Sequence, residues 1–265
     1  MHDDIVSNVR RNLHYLNVSI FDRILSGSDT MIYYFSGTGN SHYVAEVLSK
    51  SLQDTLQSIE STQSIQQDEI IGIVTPVYFF SLPDIVKDFL ERLSVSSKSY
   101  LYFVVTYGGK PGNIGKEANK IMQKKGTGFY AMYGVKMVDT YIPMYDASKN
   151  EKIESSINPQ IEEIITLIKE RRIGDYLKGT VPVLINKACS FQYKQVRKTD
   201  NLTIKDTCIH CGLCAKECPE QAIEIKDHVT FRKEQCMMCL RCLHHCPVNA
   251  IQFKHKDKGQ YRGLL

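Results

Sequence analysis

The chain of 265 residues has no tryptophan, so any aromatic platform for a planar ligand must come from its 15 tyrosines and 10 phenylalanines. It has no apolar run near the roughly 18 residues that a membrane span requires, and no membrane role is expected. The opening Met1-His2-Asp3-Asp4 lacks the basic and apolar regions of a secretory leader, so a cytoplasmic setting is expected. No cysteine precedes Cys189, yet eight of the nine cysteines fall between Cys208 and Cys246. In a reducing compartment, such crowding indicates metal or redox ligands rather than structural disulfides. Apolar residues make up 43% and charged residues 23%, the composition of a folded globular chain rather than a fibrous or disordered one. The formal net charge of +4 ignores whatever the cysteines hold. Metal bound by the crowded thiolates would change that balance, so the charge is no argument for a nucleic-acid partner.

Residues 1–30 read as an amino-terminal extension, helical in pattern at Val9, Leu13, Leu16 and Ile20 or else upstream of a true start at Met31. From 31 to 174, strand-like and helix-like stretches alternate, which predicts βαβ units and a parallel sheet covered on both faces. Five strands are expected, at 31–35, 56–59, 70–75, 100–106 and 129–138. Helices are expected at 41–52, 82–93, 113–124 and 151–172, the last closed by Gly174. Residues 175–205 read as a linker, 206–255 as a second domain and 256–265 as a solvated basic tail. The second domain is an internal repeat: Cys208, Cys211, Cys214, Cys218 and Pro219 recur, shifted by 28 residues, as Cys236, Cys239, Cys242, Cys246 and Pro247. Each copy is too small to hold itself together by burial alone, and bound metal would supply the missing stability.

Each copy reads Cys-x-x-Cys-x-x-Cys-x-x-x-Cys-Pro. Three cysteines at three-residue intervals let one tight loop reach three corners of a cubane, and the fourth sits apart beyond a turn. A zinc site or free thiols is the plain alternative, but zinc favours two separated Cys-x-x-Cys pairs around one tetrahedral ion. The pattern resembles the two-cluster 4Fe-4S ferredoxins of bacteria, in which the fourth ligand of each run serves the other cluster. That resemblance implies two 4Fe-4S clusters, one held by Cys208, Cys211, Cys214 and Cys246 and the other by Cys236, Cys239, Cys242 and Cys218. His210, His244 and His245 are expected at the surface or behind the ligands, and Cys189 as a small buried side chain.

Ser36-Gly37-Thr38-Gly39-Asn40-Ser41 follows the first strand and opens a helix. Its glycines permit a tight turn, the helix start offers unpaired N–H groups, and three hydroxyls add donors, which suits a phosphate. It lacks the Gly-Lys-Ser/Thr of a P-loop and the third glycine of a dinucleotide fingerprint. The loop resembles the FMN phosphate loop of flavodoxins. The resemblance implies that the loops after the third and fourth strands cover the ring: Pro76, Val77, Tyr78 and Phe79, then Thr106, Tyr107, Gly108 and Gly109. Flavodoxins often stack a tryptophan on the flavin, and here Tyr78 and Tyr107 are the expected substitutes. Phe79 and Phe80 read equally well as core, and Tyr141 as a residue at the rim.

The whole resembles the fused flavodoxin–ferredoxin proteins of anaerobic bacteria. It implies an α/β, flavodoxin-like, doubly wound five-stranded parallel sheet followed by a small α+β 2[4Fe-4S] ferredoxin domain. The implied function is electron transfer among two 4Fe-4S clusters, FMN and an external redox protein, because clusters move single electrons and a flavin one or two. Two alternatives stay open: a flavin-dependent reductase of a small organic acceptor, and a redox-sensing interaction module. Pairing into a homodimer is also left open.

Overall fold

A computed structural model describes residues 30–264, apart from 63–68, 97, 143, 179–180, 198, 233–234 and 255–258. The amino-terminal extension thus lies outside the described residues except for Thr30, which opens the first strand. The apolar and β-branched stretches become β1 (Thr30–Tyr34), β2 (Thr55–Ser58), β3 (Ile70–Pro76), β4 (Tyr100–Tyr107) and β5 (Ala131–Lys136). Between them run α1 (Asn40–Leu52), α2 (Asp84–Arg92) and α3 (Ile114–Gln123). All strands are parallel, in the order β2-β1-β3-β4-β5. A two-residue strand, β6 (Gly174–Asp175), extends the sheet to six at the β5 edge.

Both faces of the sheet are buried, so its central strands are continuously apolar rather than alternating. On β4, Leu101, Phe103 and Val105 pack with α2 and α3, while Tyr102 and Val104 pack with α1 and the last helix of the domain. The predicted 151–172 helix is broken into α4 (Asn150–Glu154) and α5 (Ile157–Lys169). Pro159 explains the break: it has no N–H for the carbonyl of Ser155, and its ring would clash there in a continuous helix. Ile157, Ile161, Ile164 and Ile168 still line one buried stripe. The helix ends at Lys169, and Gly174 does not close it but begins β6.

The stretch read as a linker contains β6, α6 (Val183–Val196) and β7 (Leu202–Ile204). The cysteine-rich half adds α7 (Leu213–Lys216), β8 (Ile223–Ile225), β9 (Val229–Phe231), α8 (Arg241–His245) and β10 (Ile251–Phe253). β7 pairs antiparallel with β10, and β8 with β9. The sequence repeat is also a backbone repeat. Left-handed residues recur at the same 28-residue shift: His210 and Met238, Gly212 and Leu240, Gln221 and Asn249.

The carboxyl terminus, read as a solvated tail, instead packs back over residues 259–264. Tyr261 is 3% exposed and its N–H donates to Nδ1 of His244 at 3.0 Å. Gln260 donates to the carbonyls of Leu243 and Cys246, and Leu264 packs against the α1 and α5 side of the sheet. Apolar Tyr261 and Leu264 decide the matter: burying them outweighs solvating the neighbouring cations.

Candidate functional site

In a sheet of this order, ligands bind where the strand order reverses, beyond the carboxyl ends of β1 and β3. A cavity of about 370 Å³ lies there, within the range of cofactor sites. Of the residues expected around a flavin, Ser36, Gly37, Thr38, Asn40 and Ser41 line it from the first loop, and Pro76, Val77, Tyr78 and Phe79 from the second. Thr106, Tyr107, Gly108 and Gly109 line it from the third. Gly39 stands behind the wall: its φ of 99° is a left-handed turn that glycine adopts without strain, and it leads into α1.

The first loop is held from within. Ser36 Oγ accepts the N–H of Gly39 at 3.1 Å, Ser41 Oγ lies 2.7 Å from Thr106 Oγ1, and Thr38 donates to Thr140 Oγ1 at 3.0 Å. Asn40 donates its side-chain N–H to the Val138 carbonyl, but its Oδ1 is buried without a partner among the described residues. A buried acceptor facing a cavity is costly unless a ligand donor meets it, and the hydroxyls of a ribityl chain are such donors. α1 starts at this loop with no acidic residue in its first turn, so its free N–H groups and dipole favour an anion there. The residues present therefore fit an FMN.

The second loop makes a tight turn in which Tyr78 and Ser81 exchange backbone hydrogen bonds at 3.0 Å. Phe79 and Phe80 occupy its centre with φ of 50° and 65°, a conformation that bulky residues rarely adopt. Tertiary contacts impose it. Phe79 stacks on Tyr193 with ring centres 5.0 Å apart, and Glu117 accepts from both Ser81 Oγ and the Leu82 N–H.

Other lining residues were not expected from the sequence, among them Val138, Asp139 and Thr140 after β5, Met144, Gln192 and Leu240. A loop at the carboxyl end of β5 is adjacent to the switch point, and that position was the available clue. Burial pushes the Asp139 carboxyl above its ordinary range. Cys189, expected to be buried, is half-buried and lines the same cavity.

The cysteines fall into two groups, each around its own small void. Cys218, Cys236, Cys239 and Cys242 line one. Cys208, Cys211, Cys214 and Cys246 line the other. Among the described residues, no three or more His, Cys, Asp or Glu converge as a single ion would need. Burial pushes Cys239 up to about 12 and Cys242 well above the thiol range. Without a metal both would stay neutral thiols, and a bound cation such as iron would displace their protons. Backbone N–H groups already point at sulfur: Ala222 to Cys218 at 3.2 Å and Ala250 to Cys246 at 3.2 Å, again one repeat apart. Such bonds tune cluster potentials.

The two sites meet at Cys239, which lines the large cavity as well as the first void. Gly37 permits the approach, since a Cβ there would lie 2.5 Å from Tyr78 Oη and 3.0 Å from the Cys239 carbonyl oxygen. Arg241 joins the two loops, donating to the carbonyls of Ser36 at 2.5 Å, Gly37 at 3.3 Å and Glu217 at 2.9 Å, and pairing with Glu60 at 2.6 Å. Burial works against its charge, but Glu60 outweighs burial and holds the guanidinium firmly protonated. His244 is not at the surface. It is wholly buried, its Nε2 2.8 Å from the Thr140 carbonyl, and burial lowers it to about 4.

The chain matches the family model described as a flavodoxin domain over residues 31–158 and that described as a 4Fe-4S dicluster domain over 203–253. No curated protein matches it. Among solved structures it is similar to the Streptococcus pneumonia TIGR4 flavodoxin, at 15% identity over 54% of this chain and 98% of that one, with a TM-score of 0.38. It is also similar to the Trp repressor binding protein of Bacillus subtilis, at 14% identity over 49% and 96%, TM-score 0.34. For rubredoxin oxygen:oxidoreductase of Desulfovibrio gigas the figures are 14%, 54%, 36% and 0.35. No helix among the described residues is long and apolar enough to cross a membrane.

Proposed function

We propose that this chain, a flavodoxin domain fused to a 4Fe-4S dicluster domain, is an electron-transfer iron–sulfur flavoprotein that carries two 4Fe-4S clusters and one FMN and serves an external redox protein. The observation that carries this reading is Cys239, whose side of the chain faces both the flavin-sized cavity and one cysteine quartet. When bound, FMN would supply an exchange between one-electron and two-electron partners. Ser36, Gly37, Thr38, Asn40 and Ser41 would hold its phosphate end. Tyr78, Phe79, Tyr107, Gly108 and Gly109 would shape the ring end. Cys218, Cys236, Cys239 and Cys242 would hold the nearer cluster, and Cys208, Cys211, Cys214 and Cys246 the farther one. The grouping of thiols around two voids supports this cross-ligation, since each void collects three cysteines of one run and the fourth of the other.

Purification under nitrogen followed by iron, sulfide and flavin analysis tests the proposal. We expect about eight irons, about eight sulfides and one FMN per chain. Eight irons without flavin would refute the flavin half, and one or two zinc ions in place of iron would refute the clusters. Asp139 favours a second reading, a reductase of a small acceptor, because a carboxyl that lines the cavity, raised above its ordinary value by burial, is placed to pass a proton to a molecule bound there. Steady-state turnover with quinones, nitro compounds or disulfides would distinguish that enzyme from a carrier.

A further inference from the structure

The helix α6 contributes Cys189 and Gln192 to the wall of the cavity. Its inner side is firmly seated: Tyr193 donates to the Met237 carbonyl at 2.6 Å and stacks on Phe79, while Cys189 and Gln192 face the cavity. Its outer side is unusual. Leu184 is 79% exposed and Phe191 66% exposed, two turns apart on one stripe, and Met144 at the cavity wall is 66% exposed. Large apolar side chains gathered beside a cavity mouth mark an interaction surface.

Charge identifies the partner. α6 contains no acidic residue, and its outward Lys187 and Lys194 form no ion pair among the described residues. Arg197 at its end, by contrast, is paired with Asp84. Lys110, on the loop after β4, adds a third cation at the cavity. An apolar centre set among unpaired cations is complementary to a protein contact patch ringed by carboxylates. We propose that the outer face of α6, with Leu184 and Phe191 at its centre and Lys187 and Lys194 around them, docks an acidic one-electron carrier protein at the flavin end of the molecule. This rests on the flavin reading of the cavity. In the exchange, one electron leaves the reduced carrier, which is oxidised, and the chain gains that electron.

The test mixes the iron- and flavin-loaded full chain, oxidised, with photoreduced plant-type 2Fe-2S ferredoxin, a strongly acidic carrier, in a stopped-flow instrument. The wild-type second-order rate should fall as salt rises. The Lys187→Glu/Lys194→Glu variant should react about tenfold more slowly at low salt and lose most of the salt dependence. Leu184→Ser/Phe191→Ser should slow the reaction while keeping its salt dependence. Photoreduction of each variant by deazaflavin alone should match wild type, which separates a docking defect from a damaged fold. A rate indifferent to the charge reversal would overturn the proposal. So would a dimer that Phe191→Ser dissolves in sedimentation, or binding to mixed phosphatidylcholine–phosphatidylserine vesicles that the lysine variant loses. Flavin content, read from absorbance before mixing, keeps the two claims apart: a preparation without flavin sinks the proposed function, whereas a loaded preparation indifferent to reversal sinks only the docking surface.

Discussion

Replacing Cys218 with alanine should remove the cluster beside the flavin cavity, and replacing Cys246 should remove the other. The prediction is counter-intuitive from sequence position, because Cys218 belongs to the first run of cysteines and Cys246 to the second. It follows from the two voids, which Cys218 shares with Cys236, Cys239 and Cys242, and Cys246 with Cys208, Cys211 and Cys214. Each variant should lose about half of its iron, and part of its stability with it, since cluster binding is also folding energy. The functional outcomes should differ sharply. In Cys218→Ala, electrons placed on the flavin should no longer reach iron, while in Cys246→Ala that exchange should persist near its wild-type rate. Iron analysis with Mössbauer spectroscopy and flash-induced absorbance reads both. The reverse assignment, with Cys218→Ala sparing the exchange, would mean that each run holds its own cluster.

Arg241→Met should loosen the junction between the two domains. Its guanidinium is 14% exposed and Glu60 25% exposed, so the pair falls short of full burial. Breaking a fully buried pair costs about 3–5 kcal/mol, and here about 2–4 kcal/mol is expected once the orphaned carbonyls of Ser36, Gly37 and Glu217 are included. Those carbonyls fix the orientation of the first loop, so FMN affinity should fall. Flavin-to-iron exchange should slow by about tenfold or more, because an ångström of misplacement is costly at a reacting pair. Arg241→Lys should recover the charge but little of the rate, since an ammonium cannot reproduce the fork that reaches both loops. Isothermal titration with FMN and the same flash experiment measure the two effects; unchanged values for Arg241→Met would show that the junction does not depend on it.

Local chemistry was legible in the sequence. The strand and helix alternation, the hydroxyl- and glycine-rich turn and the 28-residue cysteine repeat each rest on neighbours a few residues apart, and the fold contains them close to their expected bounds. Long-range contacts were not legible. Arg241 looks like an ordinary basic residue in the second repeat, yet its partners lie near residues 36, 37 and 60. Tyr261 and Leu264 sit close to lysines that suggest solvent, and contacts with distant segments bury the first and partly cover the second. The helix α6 carries apolar side chains on its exposed face as well as its buried one, so no amphipathic stripe announced it. At Leu240 the loop demands the left-handed backbone that Gly212 supplies in the first copy, and aligning the two copies was the available hint.

If one chain holds a flavin against the quartet of Cys218, Cys236, Cys239 and Cys242, electrons pass between them within a single molecule. The most direct test is flash photoreduction of the flavin in the anaerobically prepared full chain, following the bleaching of iron–sulfur absorbance over a wide range of protein concentration. The expected rate does not change with concentration. A rate that rises in proportion to concentration would place the exchange between molecules and contradict it.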